Sequence, residues 1–129
     1  MRGIKFRGKE ILSGKMVYGS YVNYYGTHYI SPENDFPSFE IDPETVGQFT
    51  GIKDTNGKEI YEGDILKFET IVLISKTLGE IKEVAYAVVK WAHQGFALDC
   101  VSEVRLRTLS IDSGEVVGNI FENPELIAR

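Results

Sequence analysis

Cys100 and His93 are the residues of this sequence best suited to nucleophilic chemistry, because an imidazole base can activate a thiol. They flank Gln94-Gly95, a pair that predicts a two-residue hairpin loop. In that register Cys100 lies opposite Val89. Two same-face residue pairs separate it from His93, and they span roughly 13 Å along the strand. This spacing excludes direct activation of the thiol in that register. Cys100 is therefore predicted to be a small buried hydrophobic residue.

Acidic residues are the second candidate for chemistry, since carboxylate oxygens can bind a divalent cation. The acids of the loop at residues 31–45 lack both the spacing of a ligand set and a fixing turn, which favours a solvated acidic loop. Asp54-Thr55-Asn56-Gly57 has its glycine at the fourth position instead of the sixth position of a calcium loop, so it predicts a hairpin turn. The sequence therefore predicts no catalytic, cofactor-binding or metal-binding residue.

Five tyrosines lie within twelve residues, next to a basic N-terminal segment. Aromatic rings beside cations can stack single-stranded nucleic-acid bases, and tyrosines serve equally well in strand packing or in a subunit interface. The net charge of −5 disfavours nucleic acid, so a structural or interface role is favoured. The predicted interaction residues are Arg2, Lys5, Arg7, Tyr18, Tyr21, Tyr24, Tyr25 and Tyr29.

The charges are unevenly distributed along the 129 residues. Residues 1–15 carry five bases and one acid, a balance of +4, whereas residues 31–64 carry nine acids and two bases, a balance of −7. These segments can pair within one chain or head to tail between copies, and both alternatives stay open. The single cysteine and the absence of a long apolar stretch indicate a cytoplasmic protein with no membrane segment.

The elements that must position these residues are predicted to be mostly strands. Val and Ile number 24 against 13 for Ala and Leu, which favours β structure. The predicted strands are Ile4–Arg7, Met16–Tyr21, Tyr24–Ile30, Val46–Lys53, Lys58–Ile60, Ile65–Phe68, Ile71–Ser75, Ile81–Trp91 and Val116–Phe121. Residues 101–110 fit a strand or a helix, with a strand favoured. Asn123-Pro124-Glu125 predicts a short C-terminal helix over Pro124–Ala128.

Three blocks of the sequence are familiar when read together. They are Ile4–Lys9 with Gly14–Gly19, Val46–Ile65, and Val116–Leu126. In this order they resemble the YopX family of small bacteriophage and prophage proteins. The resemblance implies a phage or prophage product in the bacterial cytoplasm, with a β-rich fold that assembles into a homo-oligomer. It implies no catalytic residue.

We therefore expect one mainly β domain over residues 1–129, with N-terminal strands and an acidic loop in 1–45 and the β core in 46–129. The expected architecture is a small twisted barrel or sandwich, SH3-like around residues 46–92, with the short C-terminal helix. Val84–Trp91 is apolar on both faces, and such a strand needs cover from its own chain or a neighbour. The expected function is that of a non-enzymatic accessory protein that self-associates or binds a host or phage macromolecule. A single-stranded nucleic-acid-binding β-barrel is the alternative.

Overall fold

The structure is a computed structural model that describes residues 5–32, 38–92, 95–100 and 110–127. Of residues 70–74, 81, 92 and 100 it describes the backbone. The chain forms two compact units, Met1–Thr50 and Gly51–Arg129. Arg2, the acids Glu33 and Asp35, and the ambiguous segment 101–109 lie outside the described residues.

Unit 1 is built on an antiparallel sheet. Its strands are β1 (Phe6–Lys9), β2 (Met16–Tyr24), β3 (Thr27–Ser31), β4 (Phe39–Glu40) and the first part of β5 (Gly47–Lys53), in the spatial order β4-β3-β2-β1-β5. A 3-10 turn at Pro43–Thr45 precedes β5, and the Asp42 carboxylate caps it by accepting a hydrogen bond from the Glu44 amide. The acidic loop thus contains a two-residue strand and a capped turn.

The core of unit 1 lies on one face of this sheet. Ile30 and Ile41 are fully buried there. Gly8 lies beside both of them, and a Cβ atom at this position would overlap the Cγ2 methyl of Ile41. The glycine of the first sequence block is therefore required by the close approach of Ile41 to β1.

Unit 2 contains the end of β5 and five further strands. These are β6 (Glu59–Tyr61), β7 (Asp64–Ser75), β8 (Gly79–Ala92), β9 (Gly95–Cys100) and β10 (Glu115–Asn119). The last four form an antiparallel sheet in the order β10-β7-β8-β9. The buried core consists of side chains from β6, β7 and β8, namely Ile60, Leu66, Phe68, Ala85, Ala87 and Val89.

The core explains how strand β8 is covered. Ala85, Ala87 and Val89 alternate along it and pack into the core of unit 2. Trp91 lies on this same face near the end of the strand and is exposed, whereas on the other face Val88 is buried and Val84 is exposed. Of the two sources of cover that the sequence leaves open for this strand, its own chain therefore supplies most.

The mainly β fold class is confirmed, whereas two of its details are wrong. The described strands form open sheets and no closed barrel, because in neither sheet do the two outer strands pair with each other. The C-terminal helix is a 3-10 turn at Pro124–Ile127 instead of an α-helix. Its Leu126 amide donates to the Asn123 carbonyl, three residues back, and four residues are too few for continuous α-helical bonding.

The register of the β8–β9 hairpin also differs from the expected one. Trp91 pairs with Phe96 and Ala92 with Gly95, so the loop is His93-Gln94, which lies outside the described residues. Cys100 consequently lies opposite Ala87, two residues nearer the start of β8 than the expected partner Val89. The expected Gln94-Gly95 loop is wrong because Gly95, with a φ of 135°, takes part in the strand.

Candidate functional site

The β2–β3 hairpin of unit 1 brings together most of the predicted tyrosines. Tyr24 pairs with Thr27, so the turn between the strands consists of two residues, Tyr25 and Gly26. Both have positive φ angles, 51° and 84°, as a tight hairpin turn of the primed type requires. The Asn23 side-chain oxygen accepts a hydrogen bond of 3.0 Å from the Gly26 amide and fixes the turn.

Tyr25 is an unfavourable residue for this turn. A left-handed conformation is suited to Gly, Asn or Asp, and Tyr25 is the one non-glycine residue with a positive φ in the described part of the chain. Its side chain is 91% exposed and packs edge-on against Tyr24, with the ring centroids 4.6 Å apart. Burial within unit 1 thus offsets little of the conformational cost.

An exposed apolar face extends from the turn along β2. Alternation of side chains places Tyr18, Val22 and Tyr24 on the same face, with exposed fractions of 45%, 54% and 63%. Tyr29 lies directly opposite Val22 on β3 and is half-buried. We call Tyr18, Val22, Tyr24 and Tyr25 the aromatic tip. It is about 20 Å long, at about 3.3 Å per residue along the strand.

Tyr21 lies on the opposite face of the hairpin, away from the aromatic tip. Its ring lies 5.3 Å from that of Phe6 and stacks on His28, with the centroids 5.7 Å apart. Its hydroxyl also forms a short hydrogen bond with the His28 Nδ1 atom. These contacts give Tyr21 and His28 a packing role within unit 1.

The two predicted basic residues that the structure describes, Lys5 and Arg7, do not form an exposed row beside the tyrosines. Arg7 is directly opposite Tyr18 in the sheet but is only 4% exposed. The Lys5 ammonium lies 5.5 Å from the centre of the Phe49 ring, in a cation–π arrangement. Burial of Arg7 and the aromatic contact of Lys5 leave little basic surface from these two residues for a phosphate backbone.

The hairpin itself carries no fixed charge. Residues 16–32 contain no Asp, Glu, Lys or Arg. Two other exposed apolar side chains lie in charged stretches of the sequence: Leu12, 92% exposed, lies between Glu10 and Lys15, and Leu78 lies between Lys76 and Glu80. The tyrosines are among the residues predicted from the sequence, whereas Val22 is not, although its alternation with Tyr24 places it on the same face.

Asp54 shows that the acidic turn of unit 2 has a structural role. Its carboxylate accepts hydrogen bonds from the amides of Asn56 and Lys58 in its own turn, both 2.8 Å, and of Val116 in β10, 2.9 Å. Burial raises the pKa of this carboxyl, but the amides of Val116, Lys58 and Asn56, with the nearby Lys58 charge, outweigh it and hold the pKa below its ordinary value. No group of three metal-ligating side chains occurs among the residues that the structure describes.

The chain is similar to one protein family in sequence and to a solved structure in fold. The family model described as YopX protein matches residues 5–128. The chain belongs to the YopX family. The crystal structure of protein EF1440 from Enterococcus faecalis is similar, with 22% identity, 99% of this chain and 100% of that chain covered, and a TM-score of 0.60. This likeness concerns the fold. No curated protein matches the chain.

The second and third of the sequence blocks that resemble the YopX family contact each other in unit 2. The second block contributes Asp54, which binds Val116 of the third block. Gly63 of the second block accepts, through its carbonyl, a hydrogen bond of 3.0 Å from the Ile120 amide of the third. These YopX motifs therefore hold strands and turns together. Among the described residues, none of the helices has the length and apolar character to cross a membrane.

Proposed function

We propose that this YopX protein is a phage or prophage accessory protein without enzymatic activity. It works in the cytoplasm of the bacterial host, by self-association or by binding a host or phage macromolecule, and the aromatic tip is its contact surface. The observation that carries this proposal is Tyr25, a large aromatic residue in a left-handed turn position with 91% of its surface exposed. Residues that violate local preferences without compensation in their own fold tend to be functional.

The aromatic tip is favoured over the other exposed apolar side chains for two reasons. Tyr24, Tyr25 and Val22 form one largely aromatic surface, whereas Leu12 and its exposed neighbour Ile11 lie in a turn between Glu10 and Lys15. Tyrosine also offers a large contact area with two side-chain torsions, so it loses little entropy when it is held by a partner. Exposed aliphatic side chains such as those of Ile11 and Leu12 are common on protein surfaces.

The structural roles of the candidate reactive groups support a non-enzymatic function. Asp54 is held by three backbone amides, and His28 is bonded to Tyr21. Cys100 lies opposite Ala87 at the end of the edge strand β9. A reactive centre would require a nucleophile and a base within hydrogen-bond reach of each other.

Single-stranded nucleic acid is the less favoured partner. The tyrosines of the aromatic tip are able to stack bases, but affinity for nucleic acid comes largely from cations at the phosphates. The hairpin sequence has no cation, and Arg7 is buried. Salt-dependent binding of oligonucleotides, lost in a Tyr24→Ala and Arg7→Ala double variant, would establish this alternative instead.

Affinity capture from host cells tests the proposal. The wild-type chain, Tyr25→Asn and Leu12→Asn are each expressed with a tag in an infected or induced host. Leu12→Asn is the matched control, because Leu12 is as exposed as Tyr25 and lies in the neighbouring turn of the same unit. We expect a captured partner, or a second differently tagged copy, that is lost with Tyr25→Asn and kept with Leu12→Asn. Identical capture by all three chains would contradict a role for the aromatic tip.

A further inference from the structure

We infer that the aromatic tip binds the aromatic tip of a second copy of the same chain, in a two-fold symmetric contact. This inference rests on the proposed function, since it identifies the occupant of the same surface. In such a contact each surface meets itself, so its charges, shape and ring arrangement must be complementary to themselves.

Charge is the first argument for a second copy. The chain has a net charge of −5, so two copies repel each other over most orientations. A charged side chain close to a two-fold axis also meets its own copy, which disfavours association. The hairpin of residues 16–32 has no fixed charge of its own, so its residues bring no like charges together, and the exposed Glu40 of β4, opposite Tyr29, lies at the edge of the same face.

Ring geometry is the second argument. Tyr24 and Tyr25 are arranged edge to face, with an interplanar angle of 74°. Aromatic faces carry partial negative charge and edges carry partial positive charge, so edge meets face favourably. The pair therefore presents an edge and a face together, and a two-fold axis can place the edge of one copy on the face of the other.

The exposed area of the aromatic tip limits how tightly two copies can bind each other. A buried aromatic side chain contributes about 150–250 Å², so the exposed fractions of the three tyrosines and Val22 amount to about 500 Å² per copy. Two copies would then bury about 1,000 Å², at the lower limit of specific interfaces. We therefore expect a weak dimer, with a dissociation constant on the order of 10 μM.

A second mode of self-association predicts a different response to salt. Head-to-tail pairing of the basic segment 1–15 with the acidic segment 31–64 would be electrostatic and would weaken as salt screens it. Contact through an uncharged tip is insensitive to salt, or is slightly strengthened as the repulsion between net negative chains is screened.

Sedimentation analysis of the full-length chain, from about 1 μM to about 500 μM, brackets the expected dissociation constant. We expect a monomer–dimer equilibrium that changes less than about threefold between roughly 50 mM and 500 mM salt. Tyr25→Asn should weaken the dimer at least about tenfold, because it removes the most exposed aromatic ring of the tip. Tyr25→Phe, which keeps the ring, and Leu12→Asn, which leaves the tip intact, should preserve it.

Three results would overturn the inference: a monomer throughout the concentration range, a dimer that weakens markedly with salt, and a dimer unaffected by Tyr25→Asn. A monomeric wild-type chain that still captures a macromolecule through Tyr25 would overturn self-association alone. The proposed function fails separately, when capture from host cells does not depend on Tyr25.

Discussion

Replacement of Asp54 by Ala removes one of the links between the β5–β6 turn and β10, which the side chain of Asn56 also joins through Glu115. Three backbone amides lose their acceptor, those of Asn56, Lys58 and Val116. Asn56 and Lys58 are exposed, so water can replace the carboxylate there at a cost of about 0.5–1 kcal/mol each. The Val116 residue is half-buried, and loss of its acceptor costs about 1–2 kcal/mol. The free energy of unfolding should therefore fall by about 2–4 kcal/mol.

Urea unfolding at neutral pH measures this loss for Asp54→Ala against the wild-type chain. Asp99→Ala is the control, because Asp99 is an exposed acid whose contact with Lys90, at 2.7 Å, is a surface ion pair. Its replacement should change the unfolding free energy by less than about 1 kcal/mol. A loss below about 0.5 kcal/mol for Asp54→Ala would refute the role of this carboxylate in joining the turn to β10.

The same carboxylate gives a pH dependence with a defined sign. The pKa of Asp54 is lowered in the folded chain, where the amides favour its charged form. Its contribution is therefore complete above the unfolded pKa and is lost as the pH falls through the folded value. The stability difference between wild type and Asp54→Ala should shrink below about pH 4. A difference that stays constant down to about pH 2 would contradict the assignment.

Three further substitutions test the packing of each unit by thermal or urea unfolding. Gly8→Ala should destabilise by about 1–3 kcal/mol, because the new methyl overlaps Ile41, and a neutral effect would show that this approach is not close. Leu66→Ala should cost about 2–5 kcal/mol as a buried core truncation, and a loss below about 1 kcal/mol would contradict its burial. Asn119→Ala should cost about 1–3 kcal/mol. The Asn119 side-chain oxygen accepts from the amides of Phe121 and Glu122, and its nitrogen donates to the Glu122 carboxylate. An unchanged unfolding midpoint would refute the role of Asn119 in holding this turn.

The parts of the fold that sequence predicts well are those governed by local rules. The Asn56-Gly57 turn follows from the need for a positive φ, which Gly57 has at 81°. The strands β2, β5 and β8 follow from their apolar and aromatic residues. Sequence does not predict that β7 is one strand from Asp64 to Ser75, because Glu69 and Thr70 interrupt the apolar pattern. Glu69 and Thr70 continue the strand because they pair with β8, and this pairing is a tertiary contact that the local sequence pattern does not reveal.

The candidate site was predictable in residue type but not in arrangement. The tyrosine cluster is visible in the sequence, but the separation of Tyr21 from the aromatic tip depends on strand phase and on the position of the Tyr25-Gly26 turn. The burial of Arg7 cannot be predicted from the sequence either, because it depends on the neighbours of β1 in the sheet. The aromatic residue in the left-handed turn position is therefore a finding of the structure.

The central claim is that Tyr25 destabilises the turn of its own chain and serves instead to contact a partner. The unfolding free energy of Tyr25→Asn tests this claim most directly. A left-handed conformation costs an ordinary residue about 1–2 kcal/mol, and asparagine adopts it more readily. At dilute concentration, where no dimer forms, Tyr25→Asn should raise the unfolding free energy by about 0.5–1 kcal/mol. A fall of more than about 0.5 kcal/mol would contradict the claim, because Tyr25 would then stabilise its own chain.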